Sequence, residues 1–194
     1  MLFRSIDTAE RLTRTVEFLN AFRPRPDMVL ATGDLVDFGK PEEYKNLRRV
    51  LDRLEVPVYL IPGNHDDRDA IRAAYPDHAY LPKTGFLHYV IEGHPVRLIG
   101  LDTLDRGKVG GLMCPERLAW LDARLSEAKD KPTLIFMHHP PYTTGMVQMD
   151  GYGCVGGEAM GEIVARHPQV ERIACGHLHR STVRRWNGTV VSSH

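Results

Sequence analysis

Segments with helical periodicity alternate with short apolar runs along this sequence, and that alternation leaves few ways to fold. From about Thr8 to Phe22, Leu12, Val16 and Leu19 recur at helical spacing, Asp7 and Glu10 are placed as a capping box, and Arg23-Pro24-Arg25-Pro26 ends the segment. Met28-Val29-Leu30-Ala31 is a run of the kind that buried strands carry. The pattern then repeats. Pro41-Glu42-Glu43 opens a helix with Leu47, Val50, Leu51 and Leu54 on one face, and Val58-Tyr59-Leu60-Ile61 is the next strand. Phe86 to Ile91 and Val96 to Leu101 predict paired strands around Glu92-Gly93-His94-Pro95. Leu118, Leu121 and Leu125 mark a helix from Pro115 to about Ala128, followed by a strand over Thr133 to Met137. A helix over Glu158 to Arg166 and a strand at Ile173-Ala174-Cys175 come next, and Asn187-Gly188 between Val183 and Val190 is a two-residue hairpin turn. The expected class is α/β: layered sheets flanked by helices, mostly parallel, with antiparallel hairpins. At 194 residues the chain suits a single domain, 1–194, with a real core.

Charge and cysteine content narrow the functions. Twenty-five Lys and Arg balance 25 Asp and Glu, which gives no general attraction to a nucleic acid polymer or to an anionic membrane. No apolar run approaches the ~18 residues a membrane span needs. Met-Leu-Phe-Arg-Ser has no apolar export core before Asp7, so a cytoplasmic protein is expected, with a homo-oligomer left open. Three cysteines, Cys114, Cys154 and Cys175, lie far apart without a C-x-x-C, which argues against both a disulfide framework and a thiolate zinc site.

Residues with chemical potential gather at the strand ends. Val29-Leu30-Ala31 runs into Thr32-Gly33-Asp34, and Leu60-Ile61 into Pro62-Gly63-Asn64-His65-Asp66. Ile135-Phe136-Met137 runs into His138-His139-Pro140-Pro141, and Ala174-Cys175 into Gly176-His177-Leu178-His179. In a parallel sheet these ends share one edge, where ligand sites form. Each piece has an ordinary reading alone: Asp34 as a turn cap, His138-His139 as a satisfied core pair, Asn64 and Asp66 as turn formers. Carboxylate, amide oxygen and imidazole together suit Mn, Fe or Zn ions, and two such ions some 3.5–4 Å apart clamp phosphoryl oxygens and activate water. Asp102, at the end of the Leu98–Leu101 run, reads as a turn carboxylate, and Arg180, Arg184 and Arg185 as a solvated hairpin face able to attract phosphate.

The order Gly33-Asp34, Gly63-Asn64-His65-Asp66, His138, Gly176-His177-Leu178-His179 resembles the calcineurin-like metallophosphoesterases. The stretches Pro41 to Tyr44, Ile61 to Asp67 and Phe136 to Pro141 are similar to the bacterial cyclic-nucleotide and glycerophosphodiester phosphodiesterases. The resemblance implies hydrolysis of small phosphodiesters by a metal-activated hydroxide. It implies Asp34 as a bridging metal ligand, with Asn64, His138 and His177 on one metal and His179 on the other. It further implies Asn64 and His65 at the substrate, His65 as the catalytic histidine, and Asp66 as the residue that orients it. Such relatives open with a strand ending in D-x-H, whereas Asp7-Thr8-Ala9 stands here. The expectation is a domain lacking both ends, with one metal held much more tightly than a second. The competing expectation is a catalytically impaired binding module of the same fold.

Overall fold

Parallel pairing of the apolar runs builds the sheets, and helices close over them. The computed structural model describes residues 7–193; residues 1–6 and His194 lie outside them. The elements in chain order are α1 (Thr8–Ala21), β1 (Val29–Ala31), α2 (Pro41–Leu51), β2 (Val58–Leu60), α3 (Arg68–Ala74), β3 (Tyr89–Ile91), β4 (Arg97–Leu101) and β5 (Gly111–Leu112). Then come α4 (Pro115–Ser126), β6 (Thr133–Met137), α5 (Val147–Asp150), β7 (Cys154–Val155), α6 (Gly157–Ala165), β8 (Val170–Cys175), β9 (Thr182–Trp186) and β10 (Thr189–Ser193).

Six strands form the main sheet in the order β3-β4-β6-β8-β10-β9. Its centre is parallel from β4 through β10, while β3 and β9 pair antiparallel at the two edges. β1 and β2 form a separate parallel pair, and β5 and β7 a third, two-residue pairing. The fold is thus α/β and mostly parallel, as the alternation predicts.

The alternation of side chains across the main sheet divides the core in two. Ile99, Leu101, Ile135, Met137 and Ile173 pack with Leu121 and Leu125 of α4 and with Met160 and Ile163 of α6. On the other face Leu98, Tyr89 and Phe136 meet Leu60 of β2, Tyr44 of α2 and Ile71 of α3. The β1–β2 pair therefore lies as a second layer over one face of the large sheet.

Local sequence explains most boundaries. The Asp7 carboxylate accepts from the Glu10 N–H at 2.9 Å and caps α1. Pro41 and Pro115 sit at the first turns of α2 and α4, where no amide donor is required. Asn187 and Gly188, at φ 45° and 89°, make the tight turn between β9 and β10. The strand expected from Phe86 begins only at Tyr89, because the Leu87 N–H is taken by the Asp102 carboxylate at 2.8 Å. No helix among the described residues is long and apolar enough to cross a membrane.

Candidate metal centre

Two layers meet at one edge, and each contributes half of a donor cluster. Asp34 follows β1 and Asn64 follows β2; His138 follows β6 and His177 follows β8. The close approach depends on missing side chains. A Cβ on Gly63 would stand 2.3 Å from the Asp34 amide nitrogen and Oδ1, and one on Gly176 would stand 2.8 Å from the Thr32 carbonyl. Only glycine lets these loop backbones touch.

The backbone at the donors is itself unusual. Four non-glycine residues among those described have a left-handed φ: Asp34 at 50°, His177 at 68°, His179 at 50°, and Asn187 in the hairpin turn. Three of the four belong to the expected ligand set. Such conformations persist where the surrounding structure over-determines them, and they gather at functional sites.

Donor orientation follows from hydrogen bonding. His138 Nδ1 lies 2.7 Å from the Thr32 carbonyl, so that nitrogen carries the proton and Nε2 presents its lone pair. Nε2 stands 3.2 Å from Asn64 Oδ1 and 3.2 Å from Asp34 Oδ2, both acceptors. His177 Nδ1 lies 3.1 Å from the same Asn64 oxygen, while its Nε2 is buried with no hydrogen-bond partner. Four lone-pair-bearing groups thus crowd one point. Either an extra proton on an imidazole or a cation relieves that crowding, and the donor set fits a divalent ion of the Mn, Fe or Zn type.

The electrostatics agree. Burial works against the Asp34 carboxylate, but its contacts with His138 and the His65 N–H outweigh it and hold the pKa at about 2. Burial, then the neighbouring His138, pushes His177 down to about 4, so this ring stays neutral and able to ligate.

His139 was not among the expected ligands, yet His138, His139 and His177 place donor nitrogens within 4.8 Å of one another. The His139 ring is already spoken for. Its Nε2 donates to the Val109 carbonyl at 3.0 Å, and its Nδ1 accepts from the Thr103 hydroxyl at 2.8 Å, which in turn accepts the His139 N–H. It has no lone pair left for an ion. Burial, then the crowding of His138 and His177 beside it, keeps it neutral, with a pKa of about 3. The doublet His138-His139 was the only sequence sign of this neighbour.

His179 stands apart. It is exposed and lines the mouth of the cleft with Arg180, outside the cluster that holds His138 and His177. His65 is also exposed at the cleft. Its main-chain N–H donates to Asp34 Oδ1 at 3.1 Å and its Nδ1 to the Asp37 carbonyl at 2.8 Å, leaving Nε2 free. The Asp37 bond raises its pKa, and burial opposes that only in part.

One expectation is corrected. Asp66 does not orient the His65 ring; the Asp37 carbonyl does. The Asp66 carboxylate turns inward and accepts from the Gly63 N–H at 2.8 Å, the Leu35 N–H at 3.0 Å and the Tyr44 hydroxyl at 2.9 Å. It fastens the loop after β2 to the loop after β1 and both to α2. Asp102 likewise proves structural: it is fully buried and accepts from Arg68 and from the Leu87 and Leu104 amides.

Comparison with known proteins places this geometry. Glycerophosphodiester phosphodiesterase GpdQ of Enterobacter lignolyticus is 38% identical over 196 residues, covering 99% of this chain and 70% of that protein. A probable cyclic nucleotide phosphodiesterase of Rhodopseudomonas palustris is 37% identical over 188 residues, covering 94% of this chain and 68% of that one. In structure, a dimetal phosphatase from Danio rerio superposes with a TM-score of 0.75 at 17% identity, over 95% of this chain and 76% of that one. The family profile described as calcineurin-like phosphoesterase matches residues 6–181. This chain belongs to the calcineurin-like phosphoesterase family.

Proposed function

We propose that this chain is a metal-dependent phosphodiesterase that hydrolyses small phosphodiesters, glycerophosphodiesters or cyclic nucleotides among them. The observation that carries the reading is the convergence of Asp34, Asn64, His138 and His177 on one point, with His65 at the edge of the same cleft. The named relatives are phosphodiesterases of these two kinds.

In this reading Asp34, Asn64, His138 and His177 hold an Mn, Fe or Zn ion. A divalent cation there lowers the pKa of a water and neutralises phosphoryl charge. The chain's own residues do the rest. Thr32 fixes the His138 tautomer through its carbonyl. The Asp37 carbonyl fixes His65, so that its Nε2 meets a phosphoryl or leaving-group oxygen and can supply a proton. Asn64 contributes its amide both to the ion and at the substrate. His179, at the mouth, and Asp34 as a bridge are the candidate ligands for a second ion, which with two donors among the described residues would bind far more weakly than the first.

Hydrolysis of bis(p-nitrophenyl) phosphate with added Mn²⁺, abolished by a chelator, tests the reading. A protein that binds the ion tightly but turns over no diester is instead a binding module. His65→Ala should lower kcat ~10²–10⁴-fold while elemental analysis shows unchanged metal content. Loss of metal in that variant overturns its assigned role.

A further inference from the structure

The cleft has two walls of opposite chemistry. One carries the metal donors. The other is the segment from residue 144 to 152, which turns Met146, Val147, Met149 and Tyr152 to the same space, joined by Val109. Val147 is 91% exposed and Tyr152 41% exposed, so both leave apolar surface uncovered at the cleft.

The wall is nevertheless built firmly. The Asp150 carboxylate accepts from the Thr144 N–H and hydroxyl, both at 2.6 Å, and from the Gly145 N–H at 2.9 Å. From the far side Arg184 donates to the Thr143 carbonyl at 2.9 Å and lies over the Tyr142 ring at 5.3 Å. The neighbouring Val109 is held by the His139 Nε2–H at 3.0 Å. Polar pins thus hold the backbone of a segment that brings two methionines and a tyrosine to the cleft. Thioethers adapt to the faces of rings, and a phenol offers a flat apolar surface at low entropic cost.

We propose that this wall is the subsite for the organic arm of the diester, and that it selects a flat aromatic arm over a small polyol. The inference rests on the phosphodiesterase reading. The cleft, at about 630 Å³, has room for an aromatic arm beside the phosphate. A glycerol arm would leave the apolar wall wet and find little beyond Gln148 on that segment for its hydroxyls, whereas a ring would cover the wall.

Two diesters with one leaving group test it: phenyl p-nitrophenyl phosphate and methyl p-nitrophenyl phosphate, each with Mn²⁺. The expected wild-type kcat/KM favours the phenyl diester about tenfold or more. Met149→Ala combined with Tyr152→Ala should shrink that ratio through a raised KM for the phenyl diester. Because the ratio is compared between proteins, intrinsic differences in substrate reactivity cancel. An unchanged ratio overturns the subsite. If neither diester is hydrolysed, the phosphodiesterase reading fails, and a second measurement still judges the wall. In Tyr152→Trp, p-nitrophenyl phosphate should quench fluorescence beyond its effect on the wild type, while inorganic phosphate should not. Equal quenching in both proteins overturns the proposal whatever the turnover.

Discussion

The two halves of the donor cluster stand on supports of very different strength. His138 and His177 hang from the parallel centre of a six-stranded sheet, in which four of the five residues of β6 and three of the six of β8 are buried. Asp34 and Asn64 hang from a ledge of two three-residue strands, and every residue of β1 is only half-buried. The imidazole half is thus positioned by core packing. The oxygen half is positioned chiefly by hydrogen bonds, above all the three that Asp66 accepts. A metal centre needs both halves in register, so the weaker support sets its precision.

The largest test of that contrast is a cavity in the main sheet. Phe136 is fully buried between the two layers, and Phe136→Ala should cost about 3–5 kcal/mol in denaturant unfolding. Next comes Asp66→Ala, which strands three donors at the ledge and should cost on the order of 3 kcal/mol. Its distinguishing result is a metal affinity lowered ~10–100-fold, although Asp66 touches no ion. A variant that lost stability but kept full metal affinity would show that the ledge does not need its staple.

Acid should act on the opposite half. His88 packs on Trp120 at 4.9 Å, accepts the Asp102 N–H and leaves Nε2 buried without a partner. Burial lowers its pKa from 6.5 to about 4. Between those values the unfolded chain binds the proton and the folded chain does not, so stability rises with pH. The contribution is whole above pH 6.5 and is lost as pH falls toward 4. At ~1.4 kcal/mol per unit this is on the order of 3 kcal/mol. Metal-free wild-type protein should therefore lose more stability between pH 7 and 5 than His88→Phe does, as read by thermal unfolding. Equal losses would remove His88 from the account. The smallest effect expected is that of Leu30→Ala on the ledge, about 1 kcal/mol because the side chain is only partly buried. A cost equal to that of Phe136→Ala would erase the contrast between the halves.

Much of this arrangement was legible in the sequence, because each local pattern agreed with its neighbours. Periodicity located the longer helices, apolar runs located the strands, and Asn187-Gly188 located the hairpin. The short α3 and the two-residue strands β5 and β7 escaped, since seven or fewer residues carry too little periodicity to be read. The convergence of Asp34, Asn64, His138 and His177 followed from parallel strands having a common edge. The direction of a side chain did not. Asp66 neighbours His65 in sequence, yet its carboxylate points to Tyr44, which lies 22 residues earlier. His138 and His139 follow one another just past β6 with rings 4.7 Å apart, yet they meet different partners, Thr32 and Val109, which nothing in the sequence told apart.

The left-handed backbone at Asp34, His177 and His179 makes this site vulnerable to selection for stability alone. Glycine adopts that conformation at no steric cost, whereas another residue bears a penalty of roughly 1 kcal/mol or more. A library screened only for heat resistance should therefore favour glycine at these positions, most readily at exposed His179, where little packing is lost. Each such gain would delete a candidate donor. Sequences retrieved by that screen would drift toward well-behaved proteins that bind no metal, and the rate of that drift at residue 179 relative to residue 34 would rank how much folding free energy each donor position consumes.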